Sequence, residues 1–289
     1  MESEKESLQS IENWDLVIKP SSGYLNLHLG DVWRYRDLLM MFVKRDIVTV
    51  YKQTILGPVW FVIQPILTTL IYIIVFGNIA GISTNGIPKI LFYLSGIIIW
   101  NYFAESFNAT SNTFRENEAL FGKVYFPRLL APLSKVISGL IKFGIQFCLF
   151  IAIGIYYAFT GYTFHFTSAL LLLPVLIIIM AMLGLAAGII FTSLTAKYRD
   201  LSFLIAFGVQ LLMYATPVIY PLSSVPEKYK VFIQVNPITP VVEGFRYILL
   251  GSGTLSVTAI GYSAAVTIIL FLTGLLIFNR TEKTFMDTV

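Results

Sequence analysis

Long apolar stretches alternate with shorter polar connections along most of the chain. Six of these stretches are candidate membrane-spanning helices: Pro58–Gly77, Leu91–Ser111, Leu133–Phe159, Leu170–Leu194, Leu201–Tyr220 and Val257–Phe278. An α-helix rises about 1.5 Å per residue, so about 20 apolar residues cross the hydrocarbon core of a bilayer. The pattern therefore predicts an all-α membrane protein with six transmembrane helices.

Basic residues collect on alternate connections between these stretches. They precede the first stretch, separate the second from the third and the fourth from the fifth, and follow the sixth: Arg34, Arg36, Lys44, Arg45, Lys52, Arg115, Lys123, Arg128, Lys135, Lys197, Arg199, Arg280 and Lys283. The opposite connections hold Lys89, Lys228, Lys230 and Arg246. Because basic loops are retained in the cytoplasm, both termini are predicted to be cytoplasmic.

Composition agrees with a membrane protein. The chain is 56% hydrophobic and 12% charged, with a mean hydropathy of +0.77, outside the range of soluble domains. Its net charge of +4 is explained by cytoplasmic loops that face anionic lipid, so no nucleic-acid partner is expected. The acidic start has no apolar core and is not a signal peptide, so the first span is expected to direct insertion.

The region before the first span divides into two parts, and residues 53–289 form the transmembrane domain. Residues 1–31 are polar and are predicted to form a cytoplasmic arm, whereas residues 32–52 have the pattern of an amphipathic helix. Its basic arc faces water, and the opposite apolar arc is interrupted by Arg36 and Asp46. Such a helix suits the membrane interface; packing on a cytoplasmic partner is the alternative.

Two connections and one span carry further signals. The charged connection Arg115–Pro132 is predicted to begin with a short helix and suits protein docking, with a solvated loop as the alternative. The outer connection Pro221–Ser256 contains two apolar stretches too short to cross, which predicts a pair of re-entrant helices before the last span. Glu243 and Arg246 lie about one turn apart there and are expected to pair. The small-residue pattern Gly184–Gly188 predicts close packing within the chain, with a dimer contact as the alternative.

Sequence signals for catalysis, nucleotide binding and metal binding are missing from the chain. It contains no G-x-x-x-x-G-K-[ST] loop and no serine elbow, and the distant His28 and His165 predict no metal site. Glu105 is the one acidic candidate within the spans, and Lys142 is expected to mark the cytoplasmic end of the third span. The chain is therefore not predicted to be an enzyme, and energy for active transport must come from elsewhere.

A series of short motifs resembles the polysaccharide-exporting permeases of the ABC-2 group. The motifs are YKQTILGPVW at 51–60, QP at 64–65, FG at 76–77, KVYFPR at 123–128, PLS at 132–134, YRD at 198–200, PVIYP at 217–221, and NP at 236–237 followed by Pro240, Glu243, Arg246 and Gly251. Each motif alone is weak, but their order and spacing run from about Trp33 to the end of the chain. The resemblance implies export of O-antigen, capsule or teichoic acid.

The resemblance also implies an assembly and a substrate. Two copies of the chain would join two copies of a separate ABC ATPase, which binds the ATP and Mg, while this chain carries no cofactor. The expected substrate is a polysaccharide on undecaprenyl diphosphate, with O-antigen first among the candidates, moved across the bacterial cytoplasmic (inner) membrane. An ABC-2 exporter of a drug or a lipid, an ATP-independent channel or carrier, and a membrane-bound glycan enzyme are the alternatives.

Aromatic side chains are candidates for the polysaccharide path, because their faces stack on sugar rings without placing fixed charges there. The stripe Phe61, Tyr72 and Phe76 of the first span is the first choice, and Tyr93, Trp100, Tyr102 and Tyr214 are added from spans two and five. Helix packing and interfacial belts are the alternative use of aromatic residues. Arg34, Arg45 and Lys52 are candidates to bind the lipid diphosphate, although retention of basic residues in the cytoplasm explains them equally well.

The resemblance assigns two further groups of residues. The ATPase-coupling group lies in Glu116–Arg128 and in the turn Tyr198–Asp200; its members are Glu116, Phe121, Tyr125, Arg128, Tyr198, Arg199 and Asp200. The outer gate is assigned to Pro221–Gly251 and the residue before it, with Tyr220, Pro221, Asn236, Pro237, Glu243 and Arg246 as its members.

Overall fold

The computed structural model describes residues 29–52, 57–121, 123–124, 126–164, 168–195, 197–198 and 200–285, without the side chains of 29, 50, 51 and 282–285. The predicted arm 1–31 therefore lies almost entirely outside the described residues, as do His28, Tyr125, His165 and Arg199. Within the described residues all regular structure is helical, which confirms the predicted class.

The described α-helices follow one another through short connections. They are α1 (Leu29–Arg34), α2 (Arg36–Lys52), α3 (Trp60–Tyr72), α4 (Lys89–Ser111), α5 (Thr113–Glu116), α6 (Glu118–Phe121), α7 (Leu130–Phe159), α8 (Leu173–Thr195), α9 (Leu201–Tyr214), α10 (Glu227–Val235), α11 (Thr239–Leu250) and α12 (Val257–Phe285). Three turns of 3₁₀-helix are also present: Gly57–Val59 before α3, Ser168–Leu172 before α8, and Leu222–Ser224 between α9 and α10. Helix α3 continues into a π-helical segment over Ile73–Ile79.

In the described part of the chain, five helices are long and apolar enough to cross a membrane: Gly57–Ile79, Lys89–Ser111, Leu130–Phe159, Ser168–Thr195 and Val257–Thr281. The fifth predicted span is different, because α9 covers 14 residues and ends at Tyr214. A helix of that length reaches only about 21 Å. The apolar sequence continues beyond it, but Pro217 lies in a turn and Pro221 in extended backbone rather than in a helix.

Helix α4 is the centre of the fold. About 78% of the residues in its most apolar stretch are buried, compared with 11% in the first span. It packs most extensively against α8 and α7. A Cβ atom on Gly184 would approach the Cβ of Ser106 to 2.7 Å, and one on Gly188 would approach the Cβ of Thr110 to 2.4 Å. The small residues of α8 therefore let two helices of the same chain approach closely, as predicted.

The predicted amphipathic helix is present as two helices joined at Tyr35. Helix α2 packs on α7, and its Phe42 and Val43 are buried. Trp33, Met40 and Met41 are exposed. The apolar residues thus divide between one face that contacts the transmembrane helices and another that none of the described residues covers.

Candidate functional site

A polar cavity of about 350 Å³ lies where α2, α3, α4 and α7 meet. Its walls include three basic side chains, three acidic side chains and several neutral polar ones: Arg45, Asp46, Glu105, Glu116, Asn117, Lys135, Ser138 and Lys142. The hydroxyl of Ser138 is buried and has no hydrogen-bond partner among the described residues. The positive and negative charges of the cavity therefore balance, and none of the described residues occupies the Ser138 hydroxyl.

Four of the six charged side chains in the cavity form a connected network. Arg45 donates from Nε and Nη2 to Asp46 Oδ1 over 3.1 and 2.9 Å. Lys135 Nζ lies 3.6 Å from the same oxygen and 3.0 Å from Glu116 Oε2. Arg45 Nη1 also donates to Asn117 Oδ1 over 3.3 Å. The network therefore joins the amphipathic helix α2 to the short helical segment that follows α4.

A second ion pair joins α4 to α7. Lys142 Nζ binds Glu105 Oε1 and lies 5.1 Å from the centre of the Phe61 ring. Lys142 is about three turns into α7, not at its beginning. The two charges that stand out in the apolar stretches thus neutralise each other, as a pair placed among membrane helices requires.

The seven candidate path aromatics occupy different environments. Tyr93, Trp100 and Tyr102 of α4 are 0, 4 and 2% exposed, so their rings pack inside the chain. Phe61, Tyr72 and Phe76 are half-buried, and Tyr214 is 49% exposed. The structure therefore does not bring the seven to one surface, and the α4 residues occupy packing positions.

Tyr72 connects the first-span stripe to its neighbours. Its ring meets those of Phe76 and Tyr93 edge to face, with centroids 5.4 and 6.2 Å away. Its hydroxyl donates to the sulfur of Met213 in α9 over 3.5 Å. Phe61 lies at the other end of α3, beside the polar cavity. The stripe thus runs from the cavity toward the π-helical end of the first span.

The three basic candidates for diphosphate binding are also separated. Arg45 lines the polar cavity, whereas Arg34 and Lys52 lie on exposed parts of the two N-terminal helices. Arg45 contacts the Phe42 ring at 4.8 Å in addition to its partners in the network. Arg45 is therefore the candidate that the fold places beside other groups able to bind a polar ligand.

The ATPase-coupling candidates divide between interior and surface. Phe121 is 3% exposed and packs against Phe114 and Phe126 at 5.7 and 5.6 Å, with the buried Arg128 guanidinium 5.5 Å from its ring. Glu116 is at the surface end of the cavity network. Phe121 and Arg128 are consequently buried, and they stabilise the connection between α4 and α7 by packing inside it.

The remaining coupling candidates lie on the connection after α8. Tyr198 and Asp200 are exposed, and Lys197 Nζ lies 5.3 Å from the Tyr198 ring. Tyr125 and Arg199 lie outside the described residues. Among the described candidates, Glu116, Tyr198 and Asp200 therefore present side chains that a second protein can reach.

Arg246 organises the outer-gate candidates. Its Nη1 donates to Glu243 Oε1 over 3.1 Å and to Pro217 O over 3.0 Å, and its Nη2 donates to Val218 O over 3.0 Å. The guanidinium lies 4.0 Å from the centre of the Phe92 ring. Burial raises the pKa of the Glu243 carboxyl, and the charge of Arg246 opposes that shift. The predicted pair is confirmed, and it fastens the turn after α9 to α11 and α4.

The other gate candidates make hydrogen bonds of their own. Asn236 Nδ2 donates to Thr216 Oγ1 over 2.8 Å, and Asn236 Oδ1 accepts from Ile238 N over 3.0 Å. Tyr220 Oη donates to Tyr214 O over 3.0 Å. Pro221 is buried, and Pro237 O accepts from Ser263 Oγ of α12 over 2.6 Å. Tyr220, Asn236 and Arg246 thus all bond to residues 214–218 at the end of α9, and Glu243 joins them through Arg246.

The cavity contains functional candidates that the sequence did not single out. Asp46 and Lys135 connect its network, and Asn117 and Ser138 complete its polar wall. Asp46 did leave a signal, because it interrupts the apolar arc of the amphipathic helix. Lys135 left none, since it was one of many basic residues on one side of the membrane.

Comparison with known proteins gives a family and several relatives. The profile of the family described as ABC-2 type transporter matches residues 37–250. The chain is 29% identical over 252 residues to the O-antigen export system permease protein RfbA of Klebsiella pneumoniae, covering 87% of this chain and 94% of the relative. RfbA of Myxococcus xanthus is 25% identical over 262 residues, covering 90% and 98%. The polysialic acid transport protein KpsM of Escherichia coli is 24% identical over 246 residues, covering 84% and 93%.

Proposed function

Because the chain belongs to the ABC-2 type transporter family, we propose that it is the transmembrane subunit of an ATP-driven exporter of lipid-linked polysaccharide, with O-antigen as the substrate class. The observation that carries this proposal is the match to proteins named O-antigen export permeases over nearly their whole length. The relative named for polysialic acid transport supports polysaccharide as the broader class. The chain itself is a permease, and the polymer is carried on undecaprenyl diphosphate.

Energy comes from a partner in this proposal. Two copies of the chain assemble with two copies of an ABC ATPase, which binds ATP and Mg. This sequence contains no phosphate-binding loop, which supports this division of roles between permease and ATPase. In a single copy, α9 exposes Phe203, Leu204 and Phe207 on an apolar surface, which suits membrane lipid or a second copy of the chain.

The complex lies in the bacterial cytoplasmic membrane with both termini in the cytoplasm. The distribution of basic residues supports this orientation. Six passes follow if α9 is the fifth crossing and the turn held by Arg246 completes its outer end. Helices α10 and α11 then form a re-entrant pair on the outer side, because each is too short to cross alone.

The substrate meets two kinds of surface. Its diphosphate binds at the cytoplasmic cavity, where Arg45 supplies charge-assisted hydrogen bonds, and Arg34 and Lys52 attract it to the membrane surface. The glycan passes aromatic side chains that offer flat apolar faces, with the exposed Tyr214 and the half-buried Phe61, Tyr72 and Phe76 as the supported candidates. The buried Tyr93, Trp100 and Tyr102 do not touch the glycan but pack α4 against the helices that carry the path.

In this proposal, ATP-driven movements of the ATPase act on the surface of the chain next to the cavity. The segment that carries Glu116 and the exposed turn with Tyr198 and Asp200 contact the ATPase. Phe121 and Arg128 hold the first of these elements in shape. The outer gate opens when the hydrogen-bonded structure around Arg246 shifts relative to α4.

Deleting the gene from its host tests this function. The proposal expects surface polysaccharide to disappear and lipid-linked polymer to accumulate inside the cell, with both effects reversed by the wild-type gene. A matched strain that lacks the partner ATPase should show the same accumulation. Unchanged surface polysaccharide together with altered resistance to a drug would instead assign the chain to an exporter of small molecules.

A further inference from the structure

We propose that Lys135 is a charge switch that determines whether Arg45 is available to bind a phosphate group. The inference rests on the proposed function, because it concerns regulation of the site where the lipid diphosphate binds. Lys135 stands between Asp46 of α2 and Glu116 of the segment that follows α4. It therefore connects the substrate-binding residue to the surface on which the ATPase acts.

Two cations share one oxygen at the centre of the switch. Asp46 Oδ1 accepts two hydrogen bonds from Arg45 at 2.9 and 3.1 Å, and Lys135 Nζ lies 3.6 Å from the same atom. A carboxylate oxygen has about two lone-pair sites, and the two hydrogen bonds from Arg45 occupy both. Arg45 and Lys135 consequently compete for Asp46, and Arg45 holds it in this structure.

The second partner of Lys135 decides this competition. Lys135 lies 3.0 Å from Glu116 Oε2, closer than it lies to Asp46. Glu116 is 44% exposed at its side chain, so a basic group of the ATPase can reach it. If such a group takes Glu116, Lys135 loses its nearer partner and turns to Asp46, because a cation in a partly buried cavity is unfavourable without a counter-charge.

The consequence for Arg45 is release. Its side chain is 41% exposed and opens onto the cavity, so a guanidinium no longer held by Asp46 can donate two hydrogen bonds to a phosphate. Its remaining bond to Asn117, at 3.3 Å, ends on the residue after Glu116. Displacement of that segment weakens this bond too, so both contacts change in the same direction.

Other groups around Asp46 leave this competition in place. Ser134 Oγ donates to the opposite oxygen, Oδ2, over 3.4 Å. Lys142 is paired with Glu105, which supplies its nearest counter-charge. Ser138 adds a hydroxyl without a partner among the described residues, which a phosphate held by Arg45 can use.

A double-mutant cycle tests the switch with farnesyl diphosphate, a soluble isoprenoid diphosphate, titrated against the purified chain in lipid nanodiscs. Removing the charge of Glu116 by Glu116→Gln should tighten binding of farnesyl diphosphate at least about fivefold, which is the lower end of typical coupling between sites. In the Lys135→Gln background the same change should have no effect, since Glu116 acts only through Lys135. A charge effect acting through space predicts the same tightening in both backgrounds, and that result would overturn the switch.

Two controls separate the possible failures. Glu118→Gln removes the same charge two residues further along the chain, and its effect should be equal with and without Lys135. Arg45→Gln should abolish most of the binding. If wild-type chain and Arg45→Gln bind the probe equally, the proposed diphosphate site is wrong and the switch falls with it. If Arg45→Gln weakens binding but the cycle is additive, the site stands and the switch alone is wrong.

Discussion

Arg246 Nη2 donates a hydrogen bond of 3.0 Å to the backbone carbonyl oxygen of Val218. The two residues belong to separate elements, α11 and the turn after α9, and both are buried. A buried guanidinium needs a counter-charge and hydrogen-bond acceptors; Glu243 supplies the charge and, with two carbonyl oxygens, accepts from both terminal nitrogens, whereas Nε has no partner among the described residues. The bond therefore fixes where the polypeptide leaves α9.

Replacing Arg246 with methionine should destabilise the protein strongly. The change leaves Glu243 buried without its partner and removes the donors of two carbonyl groups, and breaking a buried ion pair costs about 3–5 kcal/mol. Thermal unfolding of the purified chain measures the effect. The control is Lys230→Gln, which breaks the more exposed pair with Glu227 and should cost at most about 1 kcal/mol. Equal unfolding temperatures for the two variants would contradict a structural role for Arg246.

Gly96 of α4 should not tolerate even a methyl group. A Cβ atom there would lie 2.8 Å from Val218 O and 3.0 Å from Arg246 Nη2, so Gly96→Ala would push the turn away from α4. We expect a lower unfolding temperature and a lower abundance in membranes. Gly144→Ala on α7 is the matched control, because a Cβ atom there meets nothing within 4 Å. If both alanines behaved like wild type, the close approach of the turn to Gly96 would be disproved.

The aromatic candidates should separate by burial. Trp100→Ala removes a side chain that is 4% exposed, and loss of a buried aromatic costs about 3–5 kcal/mol, so folded protein should be lost first. Tyr214→Ala changes a side chain that is half exposed, so abundance should be retained while export decreases. Membrane abundance and surface glycan, measured on the same cells, distinguish the two. Full export by Tyr214→Ala at normal abundance would remove Tyr214 from the path.

The coupling surface gives a similar contrast. Tyr198→Ala should weaken ATPase assembly without lowering the stability of the isolated chain, because Tyr198 is exposed. Phe121→Ala should lower stability first, since its ring packs against Phe114 and Phe126. Co-purification of the ATPase, normalised to folded chain, measures the difference. A Tyr198→Ala chain that retains the ATPase fully would place the contact elsewhere.

The sequence predicted the helices well because a membrane span depends mainly on length and hydropathy. The prediction extended the fifth span too far, because Leu201–Tyr220 is a largely apolar stretch and hydropathy does not report where the backbone turns. The pair of Glu243 and Arg246 was predictable because both residues lie on one helix at a fixed spacing. Val218 as a further partner was not, since it depends on how two elements pack.

The polar cavity was the least predictable feature. Glu105 and Lys142 were each noticeable as charges in apolar stretches, but their pairing depends on the rotation of α4 and α7 about their axes. The same rotation buries Tyr93 and Tyr102, which their residue type alone could not show. Asp46 was visible as an interruption of an apolar arc, and its meaning became clear only beside Lys135.

Reconstitution tests the central claim most directly. Proteoliposomes that contain the chain and its ATPase should move lipid-linked polysaccharide across the bilayer when ATP and Mg are supplied, and the chain alone should move none. The matched control carries the same chain with an ATPase unable to hydrolyse ATP. Transport at the same rate by the chain alone, or ATP hydrolysis without any movement of the polysaccharide, would contradict a polysaccharide exporter driven by a separate ATPase.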